Sequence, residues 1–599
     1  MARGGPASEV VVEIVGAGRG AVAQPAFEPG PDIRMASATL GDARVGDLAR
    51  ILVRGRSARV LHVYGRSRAP GAVMAGFLAA HGRGFGTPRA VARELDEISE
   101  GDPLADPGRR NLVDQDVVTI DPEGAKDHDD AIAAVMEGEN VRLWVHIADV
   151  SHYVVPGSDL DRDAARRGCS LYVPGTVDPM LPSRLSSDLC SLRPGVPRRV
   201  LSVEMRVTPS GEVRDTRFFP AVICSERRLT YPEVDAHLAG ASLGAPRLEA
   251  TIAAAHLAAQ RLRARRMARG ALDIGSSDPV YTLEPDRVTG VHMESQTPSH
   301  SLVEDCMIAA NEAVAAYLIA RKAPTVFRYH ADPDQVHVER LYAQLAALEV
   351  ATPALPERDL GPAERRDAVR AACEAVGRHL AARSALGDTD GRALWVLVLR
   401  ALKQAFYSPD SVTHSGLASS AYLHFTSPIR RYPDLLVHRA LVGALGIGAP
   451  GPGHTDLEVA ARESSDAERA AVDLERRADR ICAALLLERQ LRDGDWTEVF
   501  AGEVTGLISQ GVFVRFASAF EGFLPARALS GGELVLDEFE TGLIDGNGRH
   551  VLRLGTRCDV RVAEIEPLRG RVRLERAETQ VPAGAARQRA QRRMARGPR

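Results

Sequence analysis

The sequence predicts an α+β protein of several domains, in which a central mixed domain lies between small β-barrels of the OB type. Around residues 117–150, apolar and polar residues alternate with the period of β-strands. Between residues 302 and 492, the apolar spacing changes to that of helices. The strand period returns near both ends of the chain. A length of 599 residues agrees with about four domains.

The first part of the chain predicts a barrel followed by a linker. Residues 1–68 carry short apolar runs separated by Gly, Pro and Asp, which indicates a small, degenerate OB-like barrel. Residues 69–110 are predicted to be a helical linker. Its helix is expected to start with Thr87 as N-cap and Pro88 as the first helical residue, and to end near Ile98.

Residues 111–492 form the predicted central domain, which begins with an unusual series of strands. A β-branched run ends on Asp121, a Pro- and Gly-bearing loop follows, and apolar runs at 131–136 and 141–150 flank a turn. The pattern predicts strand, loop, strand, turn, strand. The four aspartates that gather at one end of this sheet are Asp121, Asp127, Asp129 and Asp130.

Carboxylates this close in sequence repel one another unless a cation neutralises them. All-oxygen ligands suit a hard divalent ion, so the expected cofactor is Mg²⁺, with Mn²⁺ as the alternative. An acidic surface loop would not need two apolar strands to direct its charges to one point. A helix-flanked calcium loop that began at Asp127 would need Gly and Glu where Ile132 and Gly138 stand. The pattern therefore favours a catalytic or nucleic-acid metal site.

Helices are predicted for much of the remaining central domain. Ser301 and Glu304 have the spacing of a capping box at the start of a helix over about 302–321. Further helices are predicted within residues 360–401, over 435–445, and over 456–492.

A Gly-x-Ser-x-Gly string at residues 240–244 raises the alternative of nucleophilic catalysis. A nucleophile elbow follows a strand. Residues 232–239 instead predict a short helix that ends at Gly240, so the string is predicted to be a loop.

Residues 496–576 predict a five-stranded OB barrel with a hairpin turn at 509–511. Phe513 and Arg515 should face outward, where an aromatic ring beside a guanidinium can stack and bind single-stranded nucleic acid. An ordinary edge aromatic is the alternative. The arginine-rich residues 577–599 predict a basic disordered tail, which could hold phosphates or keep the protein soluble.

Composition restricts the setting of the protein. A net charge of -4 gives no global nucleic-acid signature, so any RNA surface must be local. The seven cysteines are scattered without a Cys-x-x-Cys pair, which argues against a disulfide framework or structural zinc. No apolar run reaches the ~18 residues of a membrane span. These features predict a cytoplasmic protein without membrane contact.

Five blocks of the sequence stand in the order of a known family: residues 119–122 with 126–130, 145–153, 179–182, 189–192 and 424–432. Together they resemble the RNase II/RNase R exoribonuclease family, which carries the RNB domain, and the chain looks like a shortened RNase R. The C-terminal barrel resembles the RNA-binding domain named after ribosomal protein S-one, and the N-terminal one resembles a cold-shock barrel.

The resemblance implies a monomeric enzyme that hydrolyses single-stranded RNA from the 3′ end to 5′-monophosphates. The four aspartates fall on the family's metal-site carboxylates, and Asp130 falls on the one most tied to chemistry. Tyr172 falls on a tyrosine that packs against the terminal nucleotides, and Arg430 on the arginine that holds the scissile phosphate. Glu475 matches a glutamate near the 3′ end, with Asp473 as an alternative.

Two rival functions fit the same fold. A catalytically silent RNA-binding protein predicts that an aspartate is missing, and none is. An endonuclease or a DNA exonuclease would differ in channel geometry and in contacts to 2′-hydroxyls, neither of which the sequence reveals.

Overall fold

The structure is a computed structural model, and it describes residues 8–16, 21–55, 57–274, 277–384, 391–448, 453–529 and 532–577. Small β units lie towards both ends of the described chain, and a mixed unit of sheet and helices lies between them, as the α+β prediction requires. None of the helices in this part of the chain is both long enough and apolar enough to span a lipid bilayer.

Five antiparallel strands form the N-terminal unit. Their inward residues Val12, Ile14 and Ile51 are fully buried, because alternate side chains of a strand point to the same face. The strands are β1 Ser8–Gly16, β2 Ala21–Pro25, β3 Ile33–Met35, β4 Asp47–Arg54 and β5 Ser57–Arg66. Their order in the sheet is β3-β2-β1-β4-β5.

The linker contains two helices, α1 Pro70–Ala80 and α2 Arg89–Glu97, where the sequence predicted one. Nearly all residues of α1 are apolar or small, so no amphipathic stripe distinguishes it. Helix α2 starts one residue later than predicted, with Pro88 and not Thr87 as its N-cap.

A seven-stranded sheet forms the centre of the protein. Strands β7 Val118–Asp121, β8 Asp130–Glu137 and β9 Asn140–Ala148 confirm the predicted series of strand, loop, strand, turn and strand. The other strands are β6 Arg110–Leu112, β12 Pro197–Val207, β13 Val213–Cys224 and β14 Arg227–Thr230. The order is β14-β7-β8-β9-β12-β13-β6. The loop between β7 and β8 therefore joins the second and third strands of the sheet and not an edge strand.

Three separate two-stranded sheets also occur in the central unit. They are β10 Leu171–Val173 with β11 Thr176–Asp178, β15 Ser277–Glu284 with β16 Arg287–Ser295, and β17 Phe327–Tyr329 with β18 Phe406–Ser408. The first of them carries Tyr172.

The helices of the central unit pack on the sheet and on one another. Helix α6 begins at Pro298, where Thr297 and His300 form its capping box. The predicted capping pair Ser301 and Glu304 is therefore wrong, and both residues lie inside the helix. Helix α4 confirms the predicted short helix before Gly240, so the Gly-x-Ser-x-Gly string lies in a loop. These helices are α3 Asp159–Arg167, α4 Tyr231–Leu238, α5 Pro246–Ala268 and α6 Pro298–Ala320.

The later helices lie close to the positions predicted within 360–401, over 435–445 and over 456–492, whereas no helix was predicted at residues 335–347. The stripe of α11 that includes Ala478, Ile481 and Leu486 is buried, as the sequence predicted. These helices are α7 Gln335–Ala347, α8 Pro362–Ser384, α9 Arg392–Ala401, α10 Tyr432–Ala444 and α11 His454–Asp493.

The C-terminal unit is a closed five-stranded barrel, which confirms the predicted OB-type fold. A further three-stranded sheet between β21 and β25 was not predicted. The barrel strands are β19 Phe500–Ile508, β20 Gly511–Phe516, β21 Phe520–Pro525, β25 Arg557–Glu566 and β26 Arg571–Arg576. The added strands are β22 Val535–Leu536, β23 Gly542–Ile544 and β24 His550–Arg553. The predicted basic tail lies outside the described residues from residue 578 onward.

The two end units are not independent attachments. Val514 of the barrel, Leu486 of α11 and Leu48 of β4 belong to one continuous cluster of buried side chains. Removal of the barrel would therefore expose apolar surface on α11.

Candidate metal centre and nucleic-acid site

The predicted aspartates surround one cavity of about 780 Å³. Asp121 is the last residue of β7 and Asp130 the first of β8, so the loop between these strands delivers the carboxylates to the end of the sheet. Six of the predicted site residues line this cavity: Asp121, Asp127, Asp129, Asp130, Tyr172 and Arg430.

Contacts from a distant segment fix the shape of the aspartate loop. Ser191 Oγ accepts a hydrogen bond from the His128 amide at 3.2 Å and donates one to the Lys126 carbonyl at 2.8 Å. The Leu192 amide donates to the His128 carbonyl at 3.0 Å. Because the backbone is held on both sides of Asp127, the carboxylates have little freedom to move apart.

Asp129 ties the loop to the segment that carries Arg430. Its Oδ1 accepts a hydrogen bond from the Ile429 amide at 2.8 Å, across 300 residues of sequence. Its Oδ2 lies 3.5 Å from Arg430 Nε. Asp129 is 3% exposed, and this burial raises its pKa well above the usual value.

Burial and then the nearby charge of Asp121 raise the pKa of Asp130 to about 7. Loss of solvation disfavours the charged carboxylate, and a neighbouring carboxylate adds repulsion. A positive ion would relieve both effects.

The donor set fits a hard divalent cation. Asp121 Oδ2 and Asp129 Oδ2 are buried and accept no hydrogen bond from any described residue, although His128 Nδ1 lies 2.9 Å from the former. Buried oxygens normally have a partner, and carboxylate oxygens are the ligands that Mg²⁺ and Mn²⁺ prefer. No three carboxylates of this cavity approach within 4.8 Å of one another in the described chain.

A buried carboxylate supports the segment that carries Arg430. Asp434 accepts hydrogen bonds from the Ser427 amide at 2.7 Å and from Arg431 Nε and Nη2 at 2.9 and 2.8 Å. Ser427 Oγ in turn accepts from Arg430 Nη2 at 3.0 Å. Both arginines line the cavity, but the side chain of Arg431 is held by Asp434 and is 21% exposed, whereas that of Arg430 is 46% exposed.

Tyr172 joins the cavity to helix α11. Its hydroxyl donates to Asp127 Oδ2 at 2.7 Å, and its amide donates to Glu475 Oε1 at 2.9 Å. Glu475 is half-buried, whereas Asp473 is exposed. The geometry therefore favours Glu475 over Asp473 as the acidic residue near Tyr172.

Phe513 and Arg515 lie away from the carboxylates. They line a second cleft of about 1050 Å³ between the C-terminal barrel, α11 and the β15–β16 hairpin. The side chain of Phe513 is outward, as predicted, whereas Arg515 contacts the Ser518 carbonyl and Met293. Asp278 lines both cavities, so the cleft lies next to the aspartate site.

Other residues of the site were not singled out from the sequence. Tyr231 and His300 stack on one another at the wall of the aspartate cavity, with ring centroids 3.8 Å apart. Asp434 lies two residues after the 424–432 block, and only the structure shows its contacts. Elsewhere among the described residues, the possible ligand atoms of Asp410, His454 and Glu458 lie within 4.8 Å of one another. All three residues are exposed, and none of them lines the aspartate cavity.

Comparisons with known proteins agree with this site. The family model described as "RNB domain" matches residues 109–447, which include the aspartates, Tyr172 and Arg430. Ribonuclease R of Escherichia coli (strain K12) is 32% identical over 527 residues, or 85% of this chain. The chain covers 62% of the length of that relative.

Solved structures share the fold. The apo form of Mycoplasma genitalium RNase R aligns with a TM-score of 0.79 at 23% identity, over 95% of this chain and 89% of the other. The same RNase R in complex with ribose methylated single-stranded RNA aligns with a TM-score of 0.76 at 21% identity, over 95% and 100% of the two chains. Because the family model matches more than half of the sequence and spans the whole aspartate cavity, the chain belongs to the RNB domain family.

Proposed function

We propose that this chain is a magnesium-dependent 3′→5′ exoribonuclease that degrades single-stranded RNA processively to 5′-nucleoside monophosphates, as a cytoplasmic monomer. The observation that carries the proposal is the pair of buried oxygens of Asp121 and Asp129 that accept no hydrogen bond from any described residue, in the cavity that Arg430 also lines. A relative described as Ribonuclease R and a structural neighbour bound to single-stranded RNA support the same substrate class.

The cation would be held by Asp121, Asp127, Asp129 and Asp130. The chemistry that Mg²⁺ or Mn²⁺ supplies in such a site is activation of water and stabilisation of charge on phosphate oxygens. The protein contributes the fixed loop between β7 and β8, which places the carboxylates before substrate arrives.

Two further side chains act on the RNA itself. Arg430 presents charged N–H donors in the cavity beside the aspartates, where they can neutralise charge that develops on the scissile phosphate. The Tyr172 ring, 38% exposed at the same cavity, provides a wall on which the last bases stack.

A labelled RNA tests the reaction class and its direction. With Mg²⁺, a 5′-labelled single strand should pass from full length to a short end product with few intermediates, and a 3′-labelled strand should release labelled mononucleotide at once. Excess unlabelled RNA added after binding should not stop a processive enzyme. Full activity in excess chelator would contradict metal dependence. Binding without cleavage would favour the silent RNA-binding alternative, and internal products or equal DNA cleavage would favour the other rivals.

Stability without metal should depend on pH in a defined direction. The pKa of Asp130 rises from 3.8 to about 7, so between these values the folded chain binds a proton more tightly than the unfolded chain. Stability from this group is therefore lost as the pH rises through that window. In chelator, we expect the unfolding midpoint of the parent to fall relative to Asp130→Asn as the pH rises from 3.8 to about 7, and the difference to stay constant at higher pH. Mg²⁺ should restore it more strongly above pH 7 than below, because metal competes with protons for the carboxylates.

Arginines outnumber acidic residues in the lining of the second cleft by eight to six. Arg392, Arg476, Arg480 and Arg571 line it, are exposed, and make no ion pair with any other described residue. Phe513 adds an exposed ring. We propose that RNA upstream of the 3′ end lies along this cleft, since unpaired guanidinium groups bind phosphates without sequence preference.

Neutralising three of these arginines should reduce the salt dependence of RNA binding. In the triple variant Arg476→Ala, Arg480→Ala, Arg571→Ala, each lost phosphate contact should lower the slope of log K against log salt by about 0.7 for a single strand. Cleavage at saturating RNA should remain close to that of the parent. Fluorescence anisotropy over a salt series measures the slope.

A matched control removes the same charge elsewhere. Arg214, Arg358 and Arg549 are exposed arginines outside the cleft, so their triple alanine variant should keep the parental slope. Equal slopes for both triple variants would reject the cleft as an RNA path. Point variants are preferable to removal of residues 496–599, because the barrel shares buried core with α11.

A further inference from the structure

The hydroxyl of Tyr172 contacts a carboxylate that the stacking role does not require. It donates to Asp127 Oδ2 at 2.7 Å. Within the described chain, no other side chain makes a hydrogen bond or ion pair with Asp127. One oxygen of Asp127 is therefore occupied by a neutral donor, while the other has no side-chain partner.

The backbone of Tyr172 is held on two sides, so this contact is not a chance orientation of a surface ring. The flanking residues Leu171 and Val173 are buried, and Glu475 accepts a hydrogen bond from the Tyr172 amide. The amide of Ser170, two residues before Tyr172, donates a hydrogen bond to the Arg430 carbonyl at 3.0 Å. The strand that carries Tyr172 is thus fixed to both α11 and the Arg430 segment.

The turn of the same hairpin is also confined. Gly175 has a φ of +78°, and a Cβ atom there would lie 2.5 Å from Leu283 Cδ1 of strand β15. A side chain at this position would be strained in conformation and would push against Leu283. The hairpin is therefore held against β15, which limits movement of Tyr172 relative to Asp127.

We propose that Tyr172 is a positioning residue for Asp127 as well as a wall for RNA, and that its hydroxyl fixes the rotation of the Asp127 carboxylate so that the free oxygen faces the cation. This inference rests on the proposed metal-dependent function. Carboxylates that bind metals are commonly oriented by a hydrogen bond from a neighbouring group, and loss of that group typically lowers metal affinity or activity by about 10–100-fold.

The two roles of Tyr172 belong to different parts of the side chain. In Tyr172→Phe, the ring remains and the hydroxyl is lost, so we expect Mg²⁺ binding to weaken by about 10–100-fold and the final undigested oligonucleotide to keep its length. In Tyr172→Ala, both Mg²⁺ affinity and final product length should change, because stacking is lost as well.

Calorimetric titration of the RNA-free protein with Mg²⁺ measures the change in Mg²⁺ affinity without an activity assay. Single-turnover cleavage over a Mg²⁺ series and sizing of the end product complete the measurement. Tyr342→Phe is the matched control, because its hydroxyl donates to the Ala368 carbonyl, between α7 and α8. It should match the parent in all three measurements. Parental Mg²⁺ affinity in Tyr172→Phe would overturn the inference.

A double-variant cycle tests whether the hydroxyl acts through Asp127. In an Asp127→Ala background, Tyr172→Phe should have no further effect on the Mg²⁺ response, because its partner is gone. A full additional loss would overturn the proposed route. A parent that binds Mg²⁺ but cleaves no RNA would contradict the proposed function alone, whereas a parent that binds no Mg²⁺ would contradict both.

Discussion

Replacement of Asp130 by Asn should lower the single-turnover cleavage rate by about a thousandfold or more, while RNA affinity holds or rises. Asn keeps the volume of the side chain but removes one negative charge from the carboxylates around the cavity. Metal catalysis contributes several kcal/mol, and each ~1.4 kcal/mol is a factor of ten in rate. Phosphates of bound RNA would meet one repelling charge fewer, so binding should not weaken.

The position of Asp130 makes this variant a clean test. Asp130 is the first residue of β8, paired with Ile147 of β9, so its backbone is fixed by the sheet. The pKa of Asp130 is raised because burial and the charge of Asp121 disfavour its ionised form. Neutral Asn avoids this unfavourable charge, so the stability of the variant near neutral pH should be unchanged or higher. Cleavage and RNA binding are measured on one preparation. Asp42→Asn, at an exposed turn of the N-terminal unit, is the control.

Two outcomes would contradict the role assigned to Asp130. The first is cleavage within about tenfold of the parent, which corresponds to a single ~1.4 kcal/mol step. The second is a collapse of RNA binding that matches the loss of cleavage, since that would assign Asp130 to RNA capture.

The sequence predicted the strands near the site better than the helix starts. The β-branched run before Asp121 and the alternation from Val141 to Ile147 have few structural interpretations, and β7 to β9 confirm them. The start of α6 was misplaced because Ser301 and Glu304 have capping-box spacing, whereas the cap uses Thr297 and His300. Two possible caps four residues apart cannot be ranked without the tertiary contacts that select one.

The predicted site residues could be named from local patterns and resemblance, but their mutual contacts could not. The hydrogen bond between Asp129 and the Ile429 amide joins positions 300 residues apart. Every residue except proline has a backbone amide N–H, so the sequence does not mark Ile429 as the donor. The choice of Glu475 over Asp473 likewise depends on which face of α11 meets β10, and a shift of two residues on a helix reverses the face.

Arg430 and Arg431 both line the aspartate cavity but differ in exposure and in their partners, which sequence alone does not distinguish. Arg430 reaches the aspartate cavity with a side chain that is 46% exposed. Arg431 makes two hydrogen bonds to Asp434, whose side chain is fully buried. We therefore expect the first to contact substrate and the second to hold the segment in shape.

Arg430→Ala should therefore lower cleavage by about 100- to 1000-fold, the typical effect of removing one donor that stabilises charge in a transition state, without a large fall in the unfolding midpoint. Arg431→Ala leaves Asp434 buried without its partner, so it should destabilise the fold by about 3–5 kcal/mol. Single-turnover kinetics and thermal unfolding of both variants, with saturating RNA and Mg²⁺ in the kinetic assay, separate the two effects. A group that stabilises only the reacting phosphate must affect the cleavage rate more than the stability of the fold. Arg430 is therefore not the phosphate-binding arginine if Arg430→Ala unfolds as readily as Arg431→Ala, or if it cleaves within about tenfold of the parent.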